Sequence, residues 1–399
     1  MSAGRILILT NRVPYPLNDG GNMATDAIIQ GYQQQGWDVY LLSMNTTRHS
    51  VDAETLRSLY NNLHKFQVVD VDNSVHGLQV IRNLLFSRLP NHAQRFYHSS
   101  FNETLNTVLD DFKPDVVHIE SVFLTSYLPT IKKYNPFAVL RLHNIEWQVW
   151  KRLADETNGI KSWYLHNLAK RIKTYEQNAW DSYHLLLPIT DHDAEVVKQT
   201  SDAETFVVHV GIKHTPVAAP KEQWVGYHIG AMDWLPNKEA IDWFIDDIWP
   251  LVKLAVPDFQ FYFAGRNMPQ SYMTYTTNGV YCDGEVPDAD VFIADKKILI
   301  VPLRSGGGVR VKILEAMAAG KLVVSTAIGM QGIDAIAGKH YLQADTPEAF
   351  AKQLKWAFDN KAESEKIATN AKVLIAETYN PKEIGYGLSQ ILLSRVNNK

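Results

Sequence analysis

The feature that most constrains this chain is a repeated exchange between short, unbroken runs of β-branched and aliphatic residues and longer stretches with helical spacing. The runs cover 5–10, 39–44, 66–71, 115–120, 138–143 and 184–189, and then 226–231, 259–264, 279–283, 298–303, 322–326 and 340–344. A strand covered on both faces reads as a continuous apolar run, and strand-helix alternation joins neighbouring strands in parallel. The expected class is therefore α/β, with two parallel-sheet domains at 1–210 and 223–378. Between them, 211–222 carries two prolines and mixed charge and reads as a linker. Behind Pro381, the apolar positions Ile384, Leu388, Ile391, Leu392 and Val396 form one helix face, so 379–399 is expected to be a helix packed on a domain.

The length of 399 residues agrees with two or three domains at roughly 150 residues each. Lys and Arg number 39 against 43 Asp and Glu, which leaves no global basic field for nucleic acid. The single cysteine, Cys282, excludes an intrachain disulfide and cannot make a zinc site alone, which fits a reducing compartment. No stretch approaches the roughly 18 apolar residues of a membrane-spanning helix, and the apolar run before Asn11 is too short for a signal-peptide core. The expectation is a cytoplasmic protein, at most resting on the inner face of a membrane.

Parallel sheets bind ligands outside the carboxyl ends of their strands, so the residues after each strand carry the search. The strongest segment runs from Val301 to Thr326: a strand, then Arg304-Ser305-Gly306-Gly307-Gly308-Val309-Arg310-Val311-Lys312, then a helical pattern holding Glu315. Three glycines let backbone approach a ligand, and the following helix offers free N–H groups and a partial positive charge. Arg310 and Lys312 add cations at that end, and Glu315 shares a helix face with Lys312, suited to two vicinal hydroxyls. The segment is not a nucleotide-triphosphate loop, because Leu322 follows Lys321 where Ser or Thr is required. The dinucleotide fingerprint is absent after the first strand, where the chain reads Asn11-Arg12-Val13-Pro14-Tyr15-Pro16.

This segment resembles the nucleotide-sugar motif of family 4 glycosyltransferases, retaining enzymes of the GT-B fold. Further resemblances are Asp19-Gly20-Gly21-Asn22, Arg141-Leu142-His143-Asn144-Ile145-Glu146, Gly230-Ala231-Met232-Asp233-Trp234 with Pro236-Asn237, Phe263-Ala264-Gly265-Arg266, Asp283-Gly284-Glu285-Val286 and Val323-Val324-Ser325-Thr326. They span nearly the whole chain. The resemblance implies two Rossmann-like domains facing across a cleft, with the C-terminal helix crossing back to the first. It implies that Glu315 holds the ribose hydroxyls of a nucleotide-sugar donor, and that Arg310, Lys312 and the Gly306, Gly307, Gly308 and Val309 backbone hold the diphosphate. Arg266 and Arg304 would add charge near the phosphates, and Tyr281 to Gly284, with Asp283, would meet the base. Gly20 and Gly21 would approach the donor, and His143 would sit at the sugar hydroxyls. Arg310, Lys312 and His143 are the implied catalytic residues, with no metal and no further cofactor.

Four positions depart from the family pattern. Gly307 stands where the first of two glutamates is usual, Met232 and Asp233 where Arg and Lys are common, and Gln331 where Glu is common. Asp70-Val71-Asp72, Asp191-His192-Asp193 and Asp288-Ala289-Asp290 have a metal-binding spacing, but the last two open helices, where Asp favours the N-terminus. His118 and Glu120 end a strand of the first domain and are weaker site candidates. From Asn73 to Asn102 there is no carboxylate, while Arg82, Arg88 and Arg95 alternate with apolar residues. This stretch reads either as a helix packed on the first domain or as a contact for anionic lipid. The expected function is transfer of a sugar to a hydroxyl of a sugar, glycoconjugate or lipid-linked acceptor. The alternatives are an epimerase or hydrolase on the same fold, or a non-catalytic homologue that binds a sugar nucleotide.

Overall fold

In the computed structural model, residues 3–17, 20–52, 54–55, 65–74, 77–87, 89–212, 222–275 and 278–396 are described. The chain forms two compact units, Met1–Gly211 with Pro381–Lys399, and Ile212–Asn380. Most of the linker expected at 211–222 lies outside the described residues.

The first unit holds a six-stranded sheet of β1 (Gly4–Thr10), β2 (Trp37–Thr46), β3 (Lys65–Val71), β4 (Val116–Ile119), β5 (Phe137–Leu142) and β6 (Leu185–Pro188), in the order β3-β2-β1-β4-β5-β6. The second repeats the plan with β7 (Gln223–Ile229), β8 (Phe261–Ala264), β9 (Val280–Gly284), β10 (Lys296–Val301), β11 (Leu322–Ser325) and β12 (Leu342–Gln343), in the order β12-β11-β10-β7-β8-β9. Every pairing is parallel. Each apolar run of the sequence became one of these strands. The run at 340–344 shortens most, because β12 is an edge strand with a ladder on one side only.

Alternation along β1 explains how the sheet is covered. Ile6 and Ile8 enter one core with Ile28, Ile29 and Tyr32, while Leu7 and Leu9 enter the other with Phe101, Leu105 and Leu109. The site-bearing helices are α1 (Gly20–Gln34), α2 (Glu146–Asp155), α3 (Gly159–Trp180), α4 (Leu235–Trp243) and α5 (Val311–Ala318). The terminal helix α6 (Pro381–Val396) belongs to the first unit and lays Leu388 and Leu392 into the core that holds Ile28 and Tyr32. It meets α1 backbone to backbone: a Cβ on Gly385 would lie 2.9 Å from Gly31 Cα, and one on Gly31 3.2 Å from Gly385 Cα. Trp37 Nε1 donates to Ser389 Oγ at 2.8 Å and fixes the register of the crossing. Among the described residues, no helix is long and apolar enough to cross a membrane.

The close crossing leaves no room for a side chain at Gly385. Gly385→Leu should destabilise the first unit by about 1–3 kcal/mol, the usual penalty of overpacking. A lowered melting temperature is the expected outcome, and an unchanged one would contradict the crossing.

Candidate functional site

Strand order reverses between β1 and β4 in the first unit and between β7 and β10 in the second, and at such a reversal the flanking connections leave in opposite directions and open a crevice. The residues singled out by sequence gather at these two points, and each unit is described by itself.

In the second unit, β10 is followed by the glycine loop and then α5. Gly306 has φ +108° and Gly308 φ +76°, conformations that side-chain-bearing residues rarely adopt. A Cβ on Gly306 would also press on the Trp234 ring at 3.1 Å. The loop delivers the chain to α5 with Arg310 at the N-cap and no side chain capping the first N–H groups of the helix. The Arg310 guanidinium turns back into the loop, donating through Nη1 to the carbonyls of Gly307 and Gly308, and lies over the Trp234 ring at 5.7 Å.

Lys312 is buried more deeply than a first-turn lysine suggests. Its Nζ donates to Asn237 Oδ1 at 2.9 Å, to Ile229 O at 3.0 Å and to His228 Nε2 at 3.0 Å. His228 is fully buried, and its Nδ1 donates to Ile300 O at 2.8 Å, which leaves Nε2 as the acceptor for Lys312. Burial, with the Arg310 charge beside it, pushes Lys312 down to about 7. Burial and Lys312 together push His228 well below its ordinary range. Both cations of this helix end are engaged by the protein's own acceptors, Arg310 by carbonyls of its loop and Lys312 by the end of β7 and Asn237.

Glu315 lies on α5, half-buried, and burial, with Asp290 beside it, pushes its carboxyl up. Arg304 is exposed over the Trp243 ring at 5.0 Å, and Val309 is half-buried in the loop. Arg266 is exposed after β8, and Tyr281 and Asp283 are exposed on β9, with Tyr281 stacked on Tyr262 at 4.8 Å.

In the first unit a cavity of about 350 Å³ opens at the reversal, with Arg12, Gly21, Glu120, His143 and Glu146 in its lining. Gly20 and Gly21 are the first residues of α1 rather than a loop, and Asp19 lies outside the described residues. The core of the site is Glu120. His143 Nε2 donates to its Oε2 at 2.6 Å, Thr25 Oγ1 to the same oxygen at 3.0 Å, and His118 Nε2 reaches Oε1 at 2.9 Å, with Arg141 Nη1 at 3.9 Å. Behind His118, its Nδ1 pairs with Tyr32 OH at 2.8 Å. Burial opposes the charge of Glu120, but Arg141, His118 and His143 outweigh it and hold its carboxyl well below the usual range. At the start of α2, burial pushes Glu146 up to about 7, and Glu176 of α3 accepts from the Glu146 and Trp147 N–H groups at 3.1 and 3.2 Å.

Sequence reasoning ranked Glu120 low and missed His228, Thr25 and Tyr32. His228 carried a signal, as a histidine in an otherwise buried strand; Thr25 and Tyr32 sit in an ordinary amphipathic helix and carried none. Two of the paired aspartates have local partners: Asp288 caps a helix through the N–H groups of Asp290 and Val291, and Asp70 accepts from Asn45 at 2.8 Å. The arginine-rich stretch forms helices at Gly77–Phe86 and Asn91–Arg95 with Phe86, Leu89 and Tyr97 exposed, so its apolar residues do not all face the core. Arg82 is exposed, and Arg88 lies outside the described residues.

Residues 225–360 match the model of a family described as Glycosyl transferases group 1. A sucrose-phosphate synthase from Thermosynechococcus elongatus superposes with TM-score 0.71 at 12% identity, covering 99% of this chain and 100% of that one. HepE of Anabaena, solved in complex with UDP-glucose, superposes with TM-score 0.63 at 15% identity over 98% and 100%. The fold is GT-B. An uncharacterized 44.6 kDa protein in the cps region of Klebsiella pneumoniae is 24% identical over 401 residues, 95% of this chain and 97% of that protein. The family match and the GT-B fold support a glycosyltransferase.

A diphosphate arriving at α5 favours the charged form of Lys312, whereas burial in the free protein favours the neutral amine. The bound state therefore holds more protons above about pH 7, and affinity should fall as pH rises beyond that value. Calorimetry at pH 8 in buffers of different ionisation enthalpy should show proton uptake on nucleoside diphosphate binding. Binding with no uptake would separate Lys312 from the phosphates.

Proposed function

We propose that this chain is a retaining, metal-independent glycosyltransferase of family 4 that moves a hexosyl group from a nucleoside-diphosphate sugar to a hydroxyl acceptor. The observation that carries this reading is the Gly306–Gly308 loop opening onto an uncapped helix start, with Arg310 and Lys312 beside it and Glu315 on the same helix. Cleavage of a glycosyl-phosphate bond leaves a diphosphate anion and an oxocarbenium-like sugar. Oriented N–H groups and fixed cations stabilise the charge that grows on the leaving group. Glu315 takes the ribose hydroxyls, Arg266 and Arg304 add positive charge near the phosphates, and the backbone near Tyr281 and Asp283 meets the base. Gly20 and Gly21 leave room for the donor at the start of α1, and His143 takes a sugar hydroxyl.

HepE was solved with UDP and with UDP-glucose, which supports uridine as the base. The cps-region relative supports polysaccharide assembly as the setting. The acceptor is a sugar, a glycoconjugate or a lipid-linked sugar, and exposed Phe86, Leu89 and Tyr97 near Arg82 support a peripheral contact with the inner face of a membrane. One observation favours a second reading, hydrolysis or epimerisation of the sugar nucleotide: Glu146, pushed up to about 7 by burial, lines the first unit's cavity, where it is available as a carboxylate base.

Incubation of UDP-glucose with and without glycan acceptors, followed by proton NMR of the anomeric signals, separates these readings. Acceptor-dependent release of UDP, an α-linked product and an unchanged rate in EDTA are expected. Turnover without acceptor favours the second reading, binding without turnover a non-catalytic homologue, and magnesium-restored activity would overturn the metal-free chemistry.

A further inference from the structure

Among the described residues of the first unit, Glu120 is a carboxylate on which donors from several elements converge. Only 3% of its side chain is exposed, and donors from α1, β4 and the end of β5 converge on it. A carboxylate taken this far from water is stable only when such donors surround it. The donors are not equivalent. Thr25 and His118 are buried, whereas His143 is 23% exposed and lines the cavity.

We infer that Glu120 is the positioning residue of the site: its carboxylate holds His143 through Nε2–H and turns Nδ1 to the cavity as the ring nitrogen that meets a hydroxyl of the sugar substrate. This rests on the proposed transferase reading, which places His143 at the sugar. The ring has two nitrogens, and the bond made by one decides the state of the other. With Nε2 protonated against an ionised carboxylate at 2.6 Å, the neutral imidazole carries its lone pair on Nδ1. Thr25 Oγ1 donates to Oε2 and ties the carboxylate to α1, with His118 Nε2 2.9 Å from Oε1 on the other side, so the imidazole is fixed in direction as well as in tautomer. The Tyr32 to His118 bond fixes His118 in turn. No proton crosses this chain in the proposal. A hydroxyl of the sugar donates to Nδ1. The other charged or titratable groups lining the cavity are Arg12, His49, Arg95 and Glu146.

The test compares Glu120→Gln and His143→Ala with the full-length wild type, alongside nitrogen-15 NMR of His143 in the unliganded wild-type protein. Glu120→Gln should keep its affinity for UDP and its KM for the donor while kcat falls about 100-fold, the scale of a misplaced group. The NMR spectrum of neutral His143 should show the Nε2–H tautomer, a readout that needs neither substrate nor a variant that folds. A neutral Nδ1–H tautomer in the wild type overturns the inference. Loss of transfer in His143→Ala beside an unchanged kcat in Glu120→Gln overturns the positioning role alone. Full transfer by His143→Ala overturns the placement of the imidazole at the sugar, and the positioning role with it.

Discussion

Everything at the two sites hangs from the reversal of strand order in the middle of a parallel sheet. In each unit the two central strands send their chains to opposite faces, so their carboxyl ends are left uncovered by either connection. The first unit uses that gap to bring the end of β1, the start of α1 and the ends of β4 and β5 around one cavity. The second uses it to set the end of β7 against the glycine loop after β10 and the start of α5.

Each reversal also holds one titratable side chain tied to the protein's own groups. In the first unit it is the Glu120 carboxylate with donors converging on it; in the second it is the Lys312 amine, bonded to Asn237, Ile229 and His228. Removing one partner of the buried Glu120 carboxylate costs about 3–5 kcal/mol, because its charge stays buried. That penalty locks the side chains around Glu120 into single orientations. Such orientation is what a site needs before it can stabilise charge that appears only in the transition state.

The strands were legible because burial on both faces leaves little freedom in residue type, and the glycine loop was legible because three adjacent glycines between a buried strand and a helix have no packing use. Arg310 was not legible in its direction. A cation at a helix start reads as ligand-facing, but positive φ at Gly306 and Gly308 turns the loop so that carbonyls of Gly307 and Gly308 receive the guanidinium. The partners of Lys312 were not legible either. Helical spacing gives its face but not what lies against that face, and here it is a buried histidine on a strand distant in sequence. Glu120 sat in plain view two positions beyond His118, yet only the three-dimensional convergence of Thr25, His118 and His143 reveals its place.

The central claim is that the start of α5 receives a diphosphate. A crystal structure with UDP tests it most directly. The account predicts phosphate oxygens against the Gly306–Gly308 backbone and the first N–H groups of α5, with the ribose hydroxyls on Glu315. A nucleotide bound elsewhere in the second unit, with the glycine loop untouched, would contradict it.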